Sequence, residues 1–254
     1  GVDMIDLKAA GERGIPVANV PDYCIEEVST STLAFLLCLN RHVISQDRMV
    51  HAGQWAWPQG VPYPARLATQ TLGIIGLGNI GRAVARKANC LGLRVLAYDP
   101  FVKPEQVAAL QASLVSLEEL LRTADYVSLH CPLTAETRHL IGAAQLAMMK
   151  PTAYLINMSR GPVVDQAALY RALVNKEIAG AALDVLEKEP PAADEPILKL
   201  DNVILAPHSA SLSTEALRQL RVDTARNVVM ALRGEMPRSI VNRKELGWPP
   251  ARAN

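Results

Sequence analysis

The fold is decided by one short stretch of the chain, TLGIIGLGNIG at residues 71–81. The apolar run at 71–75 predicts a buried strand, and the residues that follow repeat apolar positions at helical spacing. Between them, Gly76, Gly78 and Gly81 form the pattern GxGxxG. The first glycine permits a tight turn, the second lets the backbone approach a pyrophosphate, and the third allows the helix to pack closely on the strand. The stretch therefore predicts a phosphate-binding turn at the start of a helix.

Units of strand and helix continue through most of the chain. The predicted strands are almost wholly apolar, which is typical of a parallel sheet with helices on both faces. Their strict alternation with helices indicates a doubly wound α/β parallel sheet, the Rossmann-type architecture. Strands are predicted at residues 94–98, 126–129, 153–157, 181–185 and 203–206, and helices at 80–91, 105–110, 117–123, 143–149 and 165–175, the last with Asp165 as its N-cap.

The two ends of the chain depart from this alternation. A helix at 6–14 and a strand at 17–20 are predicted first, and a helix at 213–232 is predicted near the other end. The helix predicted at 26–51 is unusually long for such a domain. It suits an element that bridges two domains or packs across a subunit interface, and we expect a homodimer through it. The tail after Val241 is expected to be irregular.

Composition excludes several classes of protein. Half of the 254 residues are apolar and the formal net charge is +1 without a basic tract, so no nucleic-acid or membrane partner is expected. The longest apolar run, at 33–39, is far shorter than the roughly 20 residues that span a bilayer. Asp3 and Asp6 stand where a secretory signal would be apolar. The scattered cysteines favour buried thiols in a reducing cytoplasm over disulfides or a metal site.

An acidic residue stands where this architecture places its ribose contact. Asp99 follows Gly76 by 23 positions and ends the next predicted strand. A carboxylate there accepts hydrogen bonds from the adenosine ribose and repels a 2′-phosphate. Neither arginine nor lysine follows Asp99 directly. We therefore expect NAD or NADH as the cofactor rather than NADP.

Three further polar segments, at residues 157–165, 184–190 and 206–210, each end or follow a predicted strand. In open α/β sheets, ligands bind outside the carboxyl ends of the strands. We therefore expect the three segments to converge on the cofactor side of the sheet.

The side chains in these segments differ in what they indicate. Arg160 stands between an apolar strand and a glycine, which favours a ligand contact over a surface ion pair. Glu187 and Glu189 share one loop, and the residues alone do not distinguish them. For His208, the residues alone favour neither a catalytic role nor an ordinary position in a loop.

These motifs together resemble the D-isomer-specific 2-hydroxyacid dehydrogenases, which include phosphoglycerate, glycerate and D-lactate dehydrogenases. The resemblance covers nearly the whole chain and adds two motifs, GQW at 53–55 and HCPLT at 130–134. It implies an NAD-binding domain joined to a flavodoxin-like substrate domain. The implied activity is the interconversion of a D-2-hydroxy acid and a 2-oxo acid by hydride transfer.

The resemblance places the family's catalytic arginine on Arg160, its glutamate on Glu189 and its histidine on His208. Histidine is suited to give a proton to the substrate oxygen near neutral pH. A carboxylate beside the histidine favours the charged ring and fixes its orientation. The guanidinium of Arg160 would hold the substrate carboxylate and polarise the carbonyl.

The resemblance also implies which residues contact the cofactor. The implied contacts are Asn79 and Ile80 at the pyrophosphate, Cys131 and Thr137 near the adenosine, Asp184 near the nicotinamide, and Met158, Ser159, Ser209 and Ala210 along the remaining wall.

The same resemblance divides the chain into three parts. Residues 1–21 correspond to a remnant of the substrate domain, 22–211 to the NAD-binding domain, and 212–254 to a helix returning toward the substrate domain plus a tail. In this family, backbone N–H groups that help to hold the substrate carboxylate lie at or upstream of Gly1. Cofactor binding is therefore expected of this chain, whereas turnover depends on those groups.

Two alternatives stay open. An NAD-sensing scaffold similar to the C-terminal-binding-protein co-repressors would share this fold, and residues 22–28 do not exclude it. A chain that binds NAD and is inactive as given would share it too. Binding of short peptides that depends on NADH would indicate the scaffold, and failure with every 2-oxo acid would indicate the inactive chain.

Overall fold

The computed structural model describes residues 1–57 and 63–248. The helices are α1 (Leu7–Glu12), α2 (Ile25–Arg41), α3 (Val43–His51), α4 (Asn79–Cys90), α5 (Pro104–Ala108), α6 (Leu117–Thr123), α7 (Ala143–Leu146), α8 (Gln166–Val174) and α9 (Thr214–Leu232). The strands are β1 (Thr71–Ile75), β2 (Arg94–Tyr98), β3 (Ser113–Leu114), β4 (Tyr126–Leu129), β5 (Tyr154–Asn157), β6 (Gly180–Leu183) and β7 (Val203–Leu205). Short 3₁₀ helices lie at Leu67–Thr69, Gly161–Val163 and Pro196–Lys199. Within these residues, no helix combines the length and the apolar content needed to cross a membrane.

Seven strands of the described chain form one parallel sheet in the order β3-β2-β1-β4-β5-β6-β7. The chain adds β2 and β3 on one side of β1 and then crosses over to add the remaining strands on the other side. A crevice forms where this order reverses, outside the carboxyl ends of β1 and β4. The predicted doubly wound α/β fold is confirmed. The two-residue strand β3 escapes prediction because it is too short to show a period.

Helices cover both faces of the sheet centre, where every residue of β1 and β4 is buried. A Cβ placed on Gly73 would lie 2.4 Å from the Leu120 side chain of α6. The next residue, Ile74, lies against Gly81 of α4 on the opposite face. Each fully buried leucine or isoleucine contributes roughly 1.5–3 kcal/mol relative to an exposed one. This core fixes the spacing between the carboxyl ends of the strands.

The described chain divides into two compact units, residues 28–210 and residues 1–27 together with 211 onward. In the second unit, the fully buried Asn242 side chain accepts the Val17 N–H at 2.8 Å and donates to the Ile15 carbonyl at 2.9 Å. The strand predicted at 17–20 is wrong, because only an isolated antiparallel bridge forms there. Turns continue to residue 247, and the tail from 249 lies outside the described residues.

The single long helix predicted at 26–51 is also wrong, because the chain breaks at His42. The φ angle of His42 is 54°, in the left-handed region that a right-handed helix cannot include. Its ring meets Trp57 edge-on, with centroids 5.8 Å apart. Burial, together with the neighbouring Arg41 charge, lowers the pKa of His42. The chain therefore forms two helices, α2 and α3, in place of one.

A buried polar pair joins α2 to β4. The Asn40 side-chain amide donates to the Tyr126 Oη at 2.9 Å and to the Ala65 carbonyl at 3.2 Å. Burial raises the pKa of Tyr126 to about 12, so its phenol stays protonated at neutral pH. The Tyr126 ring stacks on Tyr154, with centroids 5.7 Å apart. The Tyr154 hydroxyl, by contrast, bonds to no residue in the described ranges.

Tyr126→Phe should lower the free energy of unfolding by about 1–2 kcal/mol, because the buried Asn40 amide loses an acceptor. Tyr154→Phe is the matched control: the stacked ring remains, and the change should stay below about 0.5 kcal/mol. Urea unfolding followed by far-UV circular dichroism measures both values. Equal losses in the two variants would contradict the role given to the Asn40–Tyr126 bond.

Candidate active site

The glycine turn contains two kinds of glycine. At Gly76, φ is +92° and a Cβ would lie 2.5 Å from the Cys131 backbone nitrogen. A Cβ on Gly81 would lie 2.1 Å from the Gly76 carbonyl oxygen. Both glycines are therefore required by the packing of the turn itself. Gly78 differs, because a Cβ there would meet nothing within 4 Å.

The space over Gly78 fits a pyrophosphate. Gly78 is the N-cap of α4 and provides no side-chain cap, so the N–H groups at the start of this 12-residue helix stay available for a ligand. Asn79 and Ile80 are its first two residues. Open space beside uncapped N–H groups at the positive end of a helix dipole favours an anion. The residues present therefore fit a dinucleotide cofactor.

Asp99 lies beside this turn at the end of β2. Its Oδ2 accepts the Leu77 N–H at 2.7 Å, and its Oδ1 accepts the Phe101 N–H at 2.9 Å. The carboxylate is partly exposed at the edge of the crevice. It therefore stands next to the phosphate-binding turn, at the side where the adenosine ribose is expected.

The first two residues after β4 are uncharged and lie beside the glycine turn. Burial raises the pKa of the Cys131 thiol to about 11. Burial also lowers the pKa of the preceding His130 to about 3, so neither side chain is charged near neutral pH. Thr137 lies further along this loop, where its hydroxyl donates to the Pro132 carbonyl at 2.6 Å. Within the described residues, Thr137 shares no hydrogen bond with another predicted site residue.

The turn after β5 is organised by a buried asparagine that the sequence did not single out. The Asn157 Oδ1 accepts the Ser159 N–H at 3.1 Å, and its Nδ2 donates to the Arg160 carbonyl at 2.9 Å. These bonds curl the chain around Met158, which is buried, and leave Arg160 partly buried beyond it. The guanidinium Nη1 donates to the Ser159 carbonyl at 2.8 Å. The sequence could have indicated this role of Asn157, because a polar residue there ends an apolar strand.

Asp184 organises the turn after β7 from the end of β6. Its buried carboxylate accepts the Ser209 N–H at 2.8 Å and the Ala210 N–H at 3.1 and 3.2 Å. Its backbone carbonyl accepts the His208 N–H at 2.8 Å. These contacts hold His208 in the left-handed region, with φ of +53°. The backbone conformation at His208 therefore depends on Asp184.

His208 and Glu189 are in direct contact. The His208 Nδ1 lies 2.6 Å from the Glu189 Oε2, and the Glu189 Oε1 accepts the Leu186 N–H at 2.9 Å. The other ring nitrogen, Nε2, bonds to no residue in the described ranges. A cavity of about 470 Å³ opens beside the pair. The arrangement can hold the ring in one orientation while Nε2 exchanges a proton with a ligand.

The structure separates the two glutamates that the residues alone left equivalent. Glu187 pairs with His139 at 2.6 Å and Glu189 pairs with His208. The Arg160 segment packs tightly on the same loop, since a Cβ on Gly161 would lie 1.9 Å from the Leu186 carbonyl oxygen. The segments that carry Arg160, Glu189 and His208 thus meet at one edge of the sheet, as the strand ends predicted.

The doubly wound sheet, the glycine turn and the acid after β2 define a Rossmann-type dinucleotide-binding protein. A histidine–carboxylate pair lies at the same edge of its sheet. Comparison with known proteins narrows this class. The family described as D-isomer specific 2-hydroxyacid dehydrogenase, NAD binding domain, matches residues 33–210. The chain therefore belongs to this family, and the resemblance inferred from its motifs is confirmed.

Individual relatives agree with this assignment. The chain is 46% identical over 246 residues to a glyoxylate reductase of Korarchaeum cryptofilum, covering 96% of this chain and 74% of the relative. A D-lactate dehydrogenase of Aquifex aeolicus, solved with NAD and lactic acid, is 35% identical with a TM-score of 0.86, covering 92% of this chain and 74% of that one. An acyclic imino acid reductase in complex with NADPH and D-Arg is 31% identical with a TM-score of 0.85, covering 94% of this chain and 75% of that one.

Gly78→Ala and Gly81→Ala should separate a ligand-facing glycine from a packing glycine. Gly78→Ala should weaken NADH binding at least about tenfold, because the methyl group occupies the pyrophosphate space. Its free energy of unfolding should change by less than about 0.5 kcal/mol. Gly81→Ala should lower that free energy by about 1–3 kcal/mol, because the methyl group collides with a backbone oxygen. NADH fluorescence titration and urea unfolding give the two quantities, and the reverse pattern would refute this division.

Proposed function

We propose that the protein is an NAD-dependent oxidoreductase that interconverts a D-2-hydroxy acid and a 2-oxo acid. The observation that carries the proposal is the 2.6 Å contact between His208 Nδ1 and Glu189 Oε2, at the sheet edge that also carries the glycine turn. Family membership supports it, as do the enzyme names of the reported relatives, a glyoxylate reductase and a D-lactate dehydrogenase. These names favour the dehydrogenase over the co-repressor-like scaffold.

His208 is the proposed acid–base catalyst. NADH, when bound, supplies the hydride that reduces the substrate carbon. His208 Nε2 gives its proton to the substrate oxygen during reduction and takes it back during oxidation. Glu189 holds Nδ1, so that the proton to be transferred resides on Nε2 of the charged ring, and it stabilises that charge. The Leu186 N–H keeps the carboxylate in place at 2.9 Å.

Arg160 is the proposed substrate-binding residue. Its planar guanidinium can hold a carboxylate through two parallel hydrogen bonds and orient the adjacent carbonyl. The bond from Asn157 Nδ2 to the Arg160 carbonyl fixes the backbone that presents this side chain. A small acid with a carboxylate next to the reacting carbon matches these two proposed roles.

The proposed cofactor contacts follow the glycine turn and the ends of the strands. Asp99 favours NAD over NADP because its carboxylate would repel a 2′-phosphate. One relative was solved with NADPH. The preference for NAD over NADP should therefore be measured directly. The proposed contacts are Gly76, Gly78, Asn79, Ile80, Gly81, Asp99, Cys131, Thr137, Met158, Ser159, Asp184, Ser209 and Ala210.

We also propose that residues 22–211 form the NAD-binding part, that residues 1–21 are a remnant of a substrate-binding part, and that residues 212–254 are a helix returning toward that part plus a tail. The protein is further proposed to act in the cytoplasm as a homodimer through α2 and α3. Exposed apolar side chains support the dimer: Val43, Ile44 and Val50 of α3 are between 37% and 48% exposed, and Trp55 is 89% exposed. Within the described residues, no disulfide joins the four cysteines, which supports a reducing compartment.

His208→Asn should lower the turnover of glyoxylate by about 10²- to 10⁴-fold, because no group remains to transfer the proton. Asparagine tolerates the left-handed backbone at this position, so the turn should persist. The dissociation constant for NADH should change less than about twofold. Steady-state assays with NADH and NADPH side by side, plus an NADH titration, provide the measurements. Unchanged turnover in the variant would exclude His208 as the proton donor.

A further inference from the structure

A second histidine–carboxylate contact lies on the loop that carries Glu189. The His139 Nε2 lies 2.6 Å from the Glu187 Oε1, and the two residues are 48 positions apart in the chain. Their side chains are 45% and 33% exposed. None of the roles proposed above uses this pair.

His139 is fixed to the segment that follows Arg160. The His139 N–H donates to the Pro162 carbonyl at 2.8 Å. Two residues further on, an isolated parallel bridge joins Ile141 to Val164. The backbone of His139 is therefore held on the arginine-bearing segment, while its ring reaches the other loop.

Two groups outside its own loop contact Glu187. Besides the His139 ring, the Gln166 Oε1 at the start of α8 accepts the Glu187 N–H at 3.0 Å. Directly before it, Leu186 leaves no room for a side chain on Gly161. The Leu186 N–H in turn donates to Glu189. A continuous path of contacts thus runs from the arginine segment to the carboxylate that orients His208.

His139 also has an unusual backbone conformation. Its φ angle is +53°, in the left-handed region that is uncommon for residues other than glycine. Partly exposed ion pairs contribute little to global stability, so stability alone gives weak reason for such a contact. A displacement of about 1 Å at a catalytic group, in contrast, can lower the rate about 100-fold.

We propose that His139 and Glu187 form a positioning pair that fixes the loop carrying Glu189 against the segment carrying Arg160. The pair sets the distance between the group that holds the substrate and the carboxylate that orients His208. Neither residue touches the substrate. The kinetic part of this inference rests on the function proposed above, whereas the mechanical part, the clamping of the loop, does not.

Three variants and one control test the clamp. His139→Asn keeps a residue that tolerates the left-handed backbone but is too short to reach Glu187. Glu187→Ala removes the carboxylate, and Glu187→Gln keeps a side-chain oxygen that the histidine can reach. The control, Glu118→Ala, breaks the exposed Arg122–Glu118 pair of 2.9 Å on α6, away from the site.

Hydrogen–deuterium exchange measures the clamp without any reaction. Exchange of the amides at 185–189 should rise about fivefold in His139→Asn and Glu187→Ala, while the amides of β1 stay unchanged. Glu187→Gln should restore most of the protection, and Glu118→Ala should have no effect on this loop. Unchanged exchange at 185–189 in both disrupting variants would overturn the clamp.

Kinetics then measure the positioning. In His139→Asn and Glu187→Ala, kcat for glyoxylate should fall about 10- to 100-fold. The dissociation constant for NADH should stay within about twofold, and the double variant should be no worse than either single one, because both remove the same contact. If the wild-type chain reduces glyoxylate and both variants keep the same kcat, the positioning role is wrong. The two proposals can fail separately. If exchange increases in the variants but the wild-type chain turns over no 2-oxo acid, the clamp is supported and the proposed function is contradicted.

Discussion

One carboxylate links the backbone of a loop to the ring of a histidine. Glu189 receives the Leu186 N–H on one oxygen and contacts His208 Nδ1 with the other, so neither oxygen can move without breaking a bond. A charged acceptor with two such partners is strongly held. The orientation of the histidine, and with it the direction of Nε2, follows from this link. The acid–base role proposed for His208 depends on that direction.

Buried polar side chains at the ends of strands supply the remaining geometry. Asp184 and Asn157 lie at the carboxyl ends of β6 and β5, where backbone N–H groups of the turns after β7 and β5, respectively, need acceptors. An unsatisfied buried polar group costs about 1–3 kcal/mol, so each side chain and its turn determine one another. The left-handed conformation of His208 is a consequence, since the turn must bring the next two N–H groups to Asp184. The sheet sets the positions of the segments, and these two side chains set their conformations.

Much of this architecture can be predicted from the sequence because it follows from apolar patterns and motifs of a few neighbouring residues. Apolar strands, the glycine pattern and the N-cap Asp165, whose Oδ1 accepts the Ala168 N–H at 2.9 Å, could all be predicted. The break at His42 could not, because it depends on a left-handed residue packed against Trp57. The choice between Glu187 and Glu189 could not be made from the residues alone either. Their partners lie 48 and 19 positions away, and only the folded sheet brings each glutamate to its histidine.

The central claim is that His208, oriented by Glu189, faces the reacting oxygen of a 2-oxo acid. A crystal structure with NADH and oxamate, an unreactive mimic of a 2-oxo acid, tests it most directly. We expect His208 Nε2 to lie within about 3.2 Å of an oxamate oxygen, with the Glu189 contact to Nδ1 preserved and the oxamate carboxylate on Arg160. Oxamate bound away from His208, or a Glu189 side chain turned away from the ring in that complex, would contradict the account.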